Sequence, residues 1–338
     1  MKNLVLFTNK DRDSLVNSRR GETKFGEQVS LLPNLTTIYE DICSLDVEFV
    51  IFGIAEDFGV RANHGQKGTK KAWQSGLKYF LNTQYNTFNN ANKIAILGHL
   101  EYIELEKEVK DLDLTKKKSI LKLRKLVEEI DKDVSYLVSC IIKAGKIPII
   151  IGGGHNNAYG IIKGCALALN NKINAINFDA HSDFRPEEGR HSGNGFSYAY
   201  AEGFLKRYFI FGLHENYTSQ TLLKTIKKLK DIQFNTFEAL EIRKELNFED
   251  ACGSAQEFVS KDSFGIEIDC DAIENMPSSA MTPSGFTLNQ ARRFVHFFGS
   301  NKKAIYLHIC EASPSKKTYT QVGKAISYLI TDFVRARS

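Results

Sequence analysis

No apolar run in the sequence approaches the roughly 20 residues that a helix needs to span a bilayer. The stretch from Met1 to Lys10 has a brief apolar segment followed by charge, so it lacks the longer apolar core of a signal peptide. The six cysteines form no CxxC or CxxxxC pair, and most lie in apolar segments. These absences exclude a disulfide-stabilised scaffold and predict a soluble, cytoplasmic protein with reduced, buried thiols.

The sequence also has no internal repeat, no low-complexity segment and no proline-rich linker. Charge of neither sign dominates, because 45 lysine and arginine residues against 40 aspartate and glutamate residues leave a net charge of +5. The densest lysine run, Lys116 to Lys118, flanks a helical pattern, and a solvated helix face explains it better than a nucleic-acid site. We therefore expect no nucleic-acid partner and no membrane partner.

Short apolar runs alternate with helical patterns along the 338 residues. The predicted strands are 47–54, 93–97, 147–151, 173–178, 208–213, 263–269 and 304–309. The predicted helices are 119–144, 156–169, 219–229, 289–298 and 321–334. Several strands are apolar at nearly every position, which is typical of a parallel sheet covered on both faces. The alternation predicts a single α/β domain over 1–338, with 1–46 as an N-terminal extension packed on or near it and the Gly-rich stretch 59–71 as a loop over the sheet.

Polar motifs follow four of the predicted strands, at the ends where α/β sheets bind ligands. They are GGGH at 152–155, DAHSD at 179–183, DCD at 269–271, and the glutamate of LHICEASP at 307–314. The side chains that could bind a metal or its substrate are His155, Asp179, His181, Asp183, Asp269, Asp271 and Glu311.

Each motif alone has a structural explanation. Asp269 and Asp271 could cap a strand, His155 could be a hydrogen-bonded core histidine, and Glu311 could form a salt bridge. Together they are hard to explain without cations, because buried carboxylates at this density repel one another. Two ions that share bridging aspartates fit the set, and Mn²⁺ favours such a mixture of N and O ligands, whereas zinc sites are richer in Cys and His. Cys270 alternates to the opposite face and is expected in the core.

Geometry limits how the DAHSD stretch can work. In an extended strand at roughly 3.3 Å per residue, the Cα atoms of Asp179 and Asp183 would lie about 13 Å apart. Both could not then reach ions only about 3.5–4 Å apart. We therefore predict that the strand ends near Phe178 and that the chain curls sharply after His181.

With these motifs in this order, the sequence resembles the ureohydrolase family of arginases, agmatinases and formimidoylglutamases, from about Val47 to the C-terminus. The resemblance implies a three-layer α/β sandwich with a mostly parallel sheet and two Mn²⁺ ions. It assigns one ion to His155, Asp179, Asp183 and Asp269. It assigns the other ion to Asp179, His181, Asp269 and Asp271.

The resemblance also implies roles at the reacting centre. Two ions lower the pKa of a shared water, Asp183 orients it, and Glu311 holds the cationic amidine or guanidine group of the substrate. Ser192 and Asn194 match positions that line the substrate pocket, and Phe196 stands where arginases carry a proton-shuttling histidine. We therefore expect Ser192, Asn194 and Phe196 to contact the substrate.

Departures from the family pattern bear on the substrate. Glu267 replaces the usual serine before DCD, and Glu274 replaces the usual aspartate after it. GGGH in place of GGDH, together with Arg185, points to the formimidoylglutamase branch, although that branch's Thr-Pro-Phe is Asn-Gly-Phe at 194–196 here. His191 is a weak substitute for the arginase shuttle.

Our leading hypothesis is hydrolysis of N-formimino-L-glutamate to glutamate and formamide. Arg185 is predicted to bind a substrate carboxylate, since guanidinium matches carboxylate bidentately. Arg190 could clamp the second carboxylate, but a solvated loop residue is the favoured explanation for it. Arg61 and His64 could contribute, and Asn216, after another strand, is expected to touch substrate.

Other functions stay open. An agmatinase or arginase-type guanidino hydrolase would need an acidic partner for a distal amine, for which Glu187, Glu188 and Glu215 are available. A metal-binding scaffold without catalysis has little need of both Asp183 and Glu311. A zinc deacetylase is disfavoured because no His-His pair occurs. A homo-oligomer is possible by family analogy.

Overall fold

The computed structural model describes residues 1–32 and 36–337. The strands are β1 Leu4–Leu6, β2 Ser30–Leu31, β3 Phe49–Ala55, β4 Ile94–Glu101, β5 Ile147–Ile151, β6 Ile173–Phe178, β7 Leu205–Leu213, β8 Ile232–Thr236, β9 Phe264–Asp269 and β10 Ala304–Cys310. The α-helices are α1 Asn9–Leu15, α2 Ile38–Cys43, α3 Phe58–Ala62, α4 Ala72–Leu81, α5 Ile103–Val109, α6 Lys117–Lys143, α7 Asn157–Leu169, α8 Gly195–Ala201, α9 Gln220–Lys228, α10 Phe248–Val259, α11 Leu288–Gly299 and α12 Tyr319–Arg335.

One sheet contains all of these strands, in the order β1-β4-β3-β5-β10-β9-β6-β7-β8, with β2 also paired to β4. The strand β1 runs antiparallel to β4, and the other pairings are parallel. The prediction of an α/β fold with a mostly parallel sheet is confirmed. Because the first 46 residues supply two strands to this sheet, we propose that the whole chain forms one domain.

Helices cover both faces of the sheet, so the molecule has three layers. Buried side chains of α4, α10, α11 and α12 form one hydrophobic core with the sheet. Those of α2, α3, α6, α7 and α8 form a second core on the other face. Cys270 lies fully buried in the first core, as expected. Five cysteines are buried and Cys43 is exposed, so the prediction of buried thiols fails at that one position.

All seven predicted strands and five predicted helices are present, with ends that shift by up to four residues. The pattern missed α10, whose buried face includes the small residues Ala251, Cys252 and Ala255, because small side chains give a weak periodic signal. The predicted loop 59–71 is wrong in part, since it contains most of α3 and a 3₁₀ turn at Thr69–Lys71. None of the described helices has the length and apolar character needed to cross a bilayer.

Four adjacent strands carry the polar motifs. In the order β5-β10-β9-β6 they occupy the middle of the sheet, and each ends at a motif. The segments after β5 and β6 carry His155 and Asp179, β9 ends at Asp269, and Glu311 follows β10. Parallel strands end at the same edge, so the topology brings sequence-distant residues together.

Between β9 and β10, Gly265 lies directly opposite Tyr306. A Cβ atom at Gly265 would overlap the Tyr306 ring, which is fully buried. This close approach needs a residue without a side chain.

Substituting Gly265→Ala is therefore expected to lower the free energy of unfolding by about 1–3 kcal/mol, the usual cost of overpacking a core. Urea denaturation measures the change. Gly253→Ala is the matched control, because Gly253 lies in α10 with no atom within 4 Å of the added Cβ. The control should gain about 0.5–1 kcal/mol from helix propensity, and equal stability of the two variants would contradict the packing argument.

Candidate metal centre and active site

The loop after β5 places His155 at the edge of the sheet. Gly153 has φ of +75°, a conformation that favours glycine, and a Cβ atom there would collide with the Asn157 amide. The buried carboxylate of Glu56 accepts hydrogen bonds from Gly154 N at 2.9 Å and Asn157 Nδ2 at 2.7 Å. Its other oxygen accepts from Phe58 N at 2.6 Å, so Glu56 ties the GGGH loop to the start of α3.

Three carboxylates converge on one nitrogen of His155. Its Nδ1 lies 2.9 Å from Asp183 Oδ2, 3.0 Å from Asp269 Oδ2 and 3.3 Å from Asp179 Oδ2. The strand β6 ends at Phe178, and Asp183 has φ of +44°, so the chain turns back as predicted. The distance argument is confirmed, because an extended chain could not bring Asp179 and Asp183 to the same atom.

A second group lies beside the first. His181 Nδ1 is 3.5 Å from Asp179 Oδ1 and 3.9 Å from Asp271 Oδ2. Asp179 thus presents one oxygen to His155 and the other to His181, which is the arrangement that a bridging ligand requires. Asp269 also accepts a hydrogen bond from Asp271 N at 2.7 Å.

The electrostatics of these groups call for cations. Burial, followed by the charges of Asp179 and Asp271, raises the pKa of Asp269 well above its usual value. Burial and Asp179 likewise raise the pKa of Asp183. An imidazole nitrogen can offer one proton, yet His155 Nδ1 faces three acceptors. The residues therefore fit a pair of divalent cations, which would satisfy the surplus of carboxylate oxygens.

Glu311 lies 2% exposed in a left-handed conformation, with φ of +60°. Its Oε1 accepts a hydrogen bond from His155 N at 2.6 Å, whereas Oε2 makes no well-aligned hydrogen bond with the described residues. The Ser279 hydroxyl is close enough to the carboxylate to lower its pKa, but burial outweighs this effect. Burial and the charge of Asp271 raise the pKa of Glu311 to about 8. A buried oxygen without a donor is an acceptor for a cationic ligand.

A cavity of about 780 Å³ opens over the site, and Asp183, Asp269, Asp271 and Glu311 contribute to its wall. Arg185 lies at the exposed side of the cavity, and its Nη1 donates to Asn63 Oδ1 at 2.8 Å. Asn63 Nδ2 in turn donates to Ser192 Oγ at 3.1 Å. Among the described residues Arg185 forms no ion pair with a carboxylate, so this lining residue has no acidic partner.

Three residues predicted at the substrate lie elsewhere. Asn194 and Phe196 are fully buried and do not line the cavity, so contact with substrate is corrected for both. The Asn194 amide oxygen accepts from Arg190 Nη1 at 2.8 Å, and Phe196 stacks on Tyr208 with centroids 4.2 Å apart. Asn216 is exposed and outside the cavity wall.

Neither explanation offered for Arg190 is correct. It is 2% exposed, and its guanidinium donates to Asp131 at 2.8 Å and Asn156 O at 2.7 Å. A guanidinium saturated by protein acceptors cannot clamp a substrate. Arg61 is similarly engaged, 3.7 Å from Asp57 and 3.6 Å from Glu106. The expectation that it contributes to substrate binding is therefore corrected.

His191 cannot replace the arginase shuttle. It is fully buried, and its Nδ1 accepts a hydrogen bond from Gly193 N at 3.1 Å. Burial and the nearby charges of Arg124 and Arg185 lower its pKa to about 4. The ring is therefore neutral and lies outside the cavity wall.

Sequence reasoning missed Asn63 and Tyr217, which both line the cavity. The Tyr217 ring stacks on His181 with centroids 5.3 Å apart and on His214 at 5.1 Å. Its position four residues after Leu213, the end of β7, was the available signal. Asn63 lies in the Gly-rich stretch 59–71 that was expected over the sheet, but its role comes from the long-range contact with Arg185.

The geometry defines a class: an α/β protein whose mostly parallel sheet holds a two-part carboxylate and histidine centre at its C-terminal edge. The model of the arginase family matches residues 47–334. The chain belongs to the arginase family.

The chain is similar to named relatives and to solved structures. The chain is 26% identical over 280 residues to a formimidoylglutamase of Streptococcus gordonii, covering 79% of this chain and 78% of the relative. It resembles a Trypanosoma cruzi formiminoglutamase structure with Mn²⁺, with a TM-score of 0.72, 19% identity and coverage of 93% and 98% of the two chains. A Bacillus subtilis formimidoylglutamase structure gives a TM-score of 0.72 at 18% identity, over 95% of this chain and 93% of that one. At these identities the structural similarity shows the fold alone.

Because carboxylates are in surplus at the site, Asp269→Asn should have different effects on thermal stability with and without cations. The metal-free variant should melt at the wild-type Tm or above it, because the buried asparagine needs no proton to be neutral. The wild type should gain about 2.7 kcal/mol at a free divalent cation concentration 100 times its Kd, and the variant should lose that gain. Thermal melts with and without added cation measure both effects.

The matched control is Asp262→Asn, whose carboxylate pairs with Lys206 away from the site. It should retain the full rise in Tm. A cation-dependent rise in Asp269→Asn equal to that of the wild type would contradict the role of this carboxylate.

Proposed function

We propose that the protein is a manganese-dependent hydrolase that cleaves a C–N bond of N-formimino-L-glutamate, giving glutamate and formamide. One observation carries the proposal. The same cavity has an unpartnered, buried oxygen of Glu311 at one place and an Arg185 guanidinium without an acidic partner at another. Glu311 can accept from a cationic amidine and Arg185 can pair with a carboxylate, so together they complement a substrate with a cationic amidine at one end and carboxylates at the other. The names of the relatives above agree with it.

The proposed ligand sets are those that the family resemblance implies, and ligand atoms of the first set lie within 4.8 Å of one another. One ion would be held by His155, Asp179, Asp183 and Asp269. The other would be held by Asp179, His181, Asp269 and Asp271. When bound, the two ions lower the pKa of a water molecule and so supply a nucleophile at neutral pH.

Glu311 is proposed to hold the amidine. Its free Oε2 would accept an N–H from the cationic group, and in this buried setting the interaction is strong. Because Oε1 is fixed by the backbone of His155, the carboxylate has little freedom, and it places the amidine carbon over the ligand carboxylates.

Asp183 is proposed to move the proton. It is both a wall residue of the cavity and a neighbour of His155, so its carboxylate can take a proton from the attacking water. As the bond between the amidine carbon and the glutamate nitrogen breaks, that proton passes to the leaving nitrogen. Water adds across the cleaved bond, and the products are formamide and the free amine.

Arg185 is proposed to bind a carboxylate of the substrate. Its contact with Asn63 leaves other N–H groups of the guanidinium for a bidentate interaction. Ser192 supports Asn63 and lines the same wall, which fits its expected place at the substrate.

A guanidino hydrolase is the second candidate, because Glu187 also lines the cavity. It could hold the distal amine of a substrate such as agmatine. The other two acidic candidates are engaged, since Glu188 pairs with Arg124 at 3.1 Å and Glu215 with Arg243 at 2.7 Å.

The manganese-loaded protein should turn over N-formimino-L-glutamate and release formamide. Arg185→Ala should raise KM about 10- to 100-fold with a smaller change in kcat, because a charged hydrogen bond contributes about 1.5–3 kcal/mol. Arg185→Lys should recover only part of the loss. Steady-state kinetics with separate assays for formamide and urea measure these effects.

The matched control is Arg243→Ala, which removes an exposed arginine outside the cavity and should leave KM unchanged. Urea release from agmatine or arginine without turnover of the formimino substrate would favour the second candidate. No turnover of any amidine or guanidine by metal-loaded protein would instead indicate a metal-binding scaffold.

A further inference from the structure

A row of polar side chains continues from the metal centre into the sheet. In the register of β9 and β10, Glu267 lies opposite His308 and Asp269 lies opposite Cys310. Glu267 and Asp269 are two residues apart on one strand, so they share a face. Glu267 and His308 are both fully buried.

Protein donors surround the Glu267 carboxylate. Its Oε1 accepts from Tyr306 Oη at 2.7 Å, and its Oε2 contacts His308 Nδ1 at 2.6 Å. The same Oε2 lies 3.5 Å from His155 Nε2. His155 Nε2 is buried and makes no well-aligned hydrogen bond with the described residues. The Glu267 carboxylate is the charged acceptor beside it, and the Cys310 thiol lies against the same ring.

Burying the Glu267 carboxylate and its polar partners costs free energy, so we expect this cluster to have a function. A carboxylate inside a sheet is unfavourable without several donors. The chain supplies Tyr306 and His308, and Gly265 leaves the space that the Tyr306 ring fills. Three positions are thus committed to holding one carboxylate behind His155.

We propose that Glu267 is a positioning residue for the metal centre. It accepts the Nε2–H of His155, which leaves the Nδ1 lone pair directed at Asp179, Asp183 and Asp269. The inference rests on the proposed function, since Nδ1 is the atom that would bind an ion. Outer acceptors of this kind fix the orientation and tautomer of histidine ligands.

A second metal site behind His155 is the alternative explanation. Atoms of His155, His308 and Cys310 lie within 4.8 Å of one another. However, His308 Nδ1 is engaged by Glu267, and Cys310 Sγ donates to Ile268 O at 3.6 Å. The other ring nitrogen of His308, Nε2, lies 3.4 Å from Gly152 O, so neither His308 nor Cys310 offers a further ion an unengaged ligand atom.

The test is manganese binding to full-length Glu267→Gln, followed by calorimetric titration and metal analysis. The amide keeps the size of the carboxylate but offers one acceptor oxygen to three donors. His155 belongs to only one of the two proposed ligand sets. The ion held by that set should bind about 10- to 100-fold more weakly. The second ion should bind within about twofold of its wild-type affinity.

Tyr306→Phe is the matched control, because it removes one donor and leaves the carboxylate beside His155. It should bind both ions within about threefold of the wild type, even if it melts at a lower temperature. If Glu267→Gln does not fold, Glu267→Asp, which withdraws the carboxylate by one methylene, should show a smaller loss at the same single ion.

The outcomes separate this inference from the function on which it rests. Wild-type protein that fails to bind two ions would overturn the proposed function. Wild-type protein that binds two ions, with Glu267→Gln binding both equally well, would overturn only the role of Glu267. Equal weakening of both ions, or a third tightly bound ion in the wild type, would also overturn it.

Discussion

The convergence of buried carboxylates on His155 is the constraint on which the rest of the structure depends. Asp179, Asp183 and Asp269 all lie within 3.3 Å of one imidazole nitrogen. Such a group is unstable by itself, since burial and mutual repulsion both disfavour its charges. Strands and tight turns hold these side chains together. Bound cations would offset the repulsion between the carboxylates, so the stability of the folded protein should depend on cation binding.

The sheet topology explains how one chain assembles this centre. The consecutive strands β5 and β6 lie on either side of β10 and β9, which the chain adds much later. Motifs more than 100 residues apart in sequence therefore meet at one edge. Two of the six described non-glycine residues with left-handed backbone conformations, Asp183 and Glu311, lie at this edge.

Sequence patterns predicted the sheet, the order of the motifs and the curl after His181. The alternation of strands and helices, the ends of strands and the length of chain between two ligands can all be read from residues close together in the sequence. The same patterns placed Arg185 and Ser192 in the wall of the cavity, but they could not predict contacts between residues far apart in the sequence. Arg190 illustrates the limit, since nothing near it in sequence reveals that Asp131, on the distant helix α6, lies 2.8 Å away. Asn63 is similar, because its contact with Arg185 joins residues 122 positions apart.

Charge balance links the metal centre to the substrate. Four aspartates, at positions 179, 183, 269 and 271, carry a formal charge that two divalent ions would neutralise. Glu311 would remain, a fifth carboxylate with one oxygen unpartnered and a pKa raised by burial. A cationic amidine would neutralise it, whereas a neutral amide would leave it buried and uncompensated. The same burial that demands cations at the ligands therefore also selects for a cationic group at the reacting carbon.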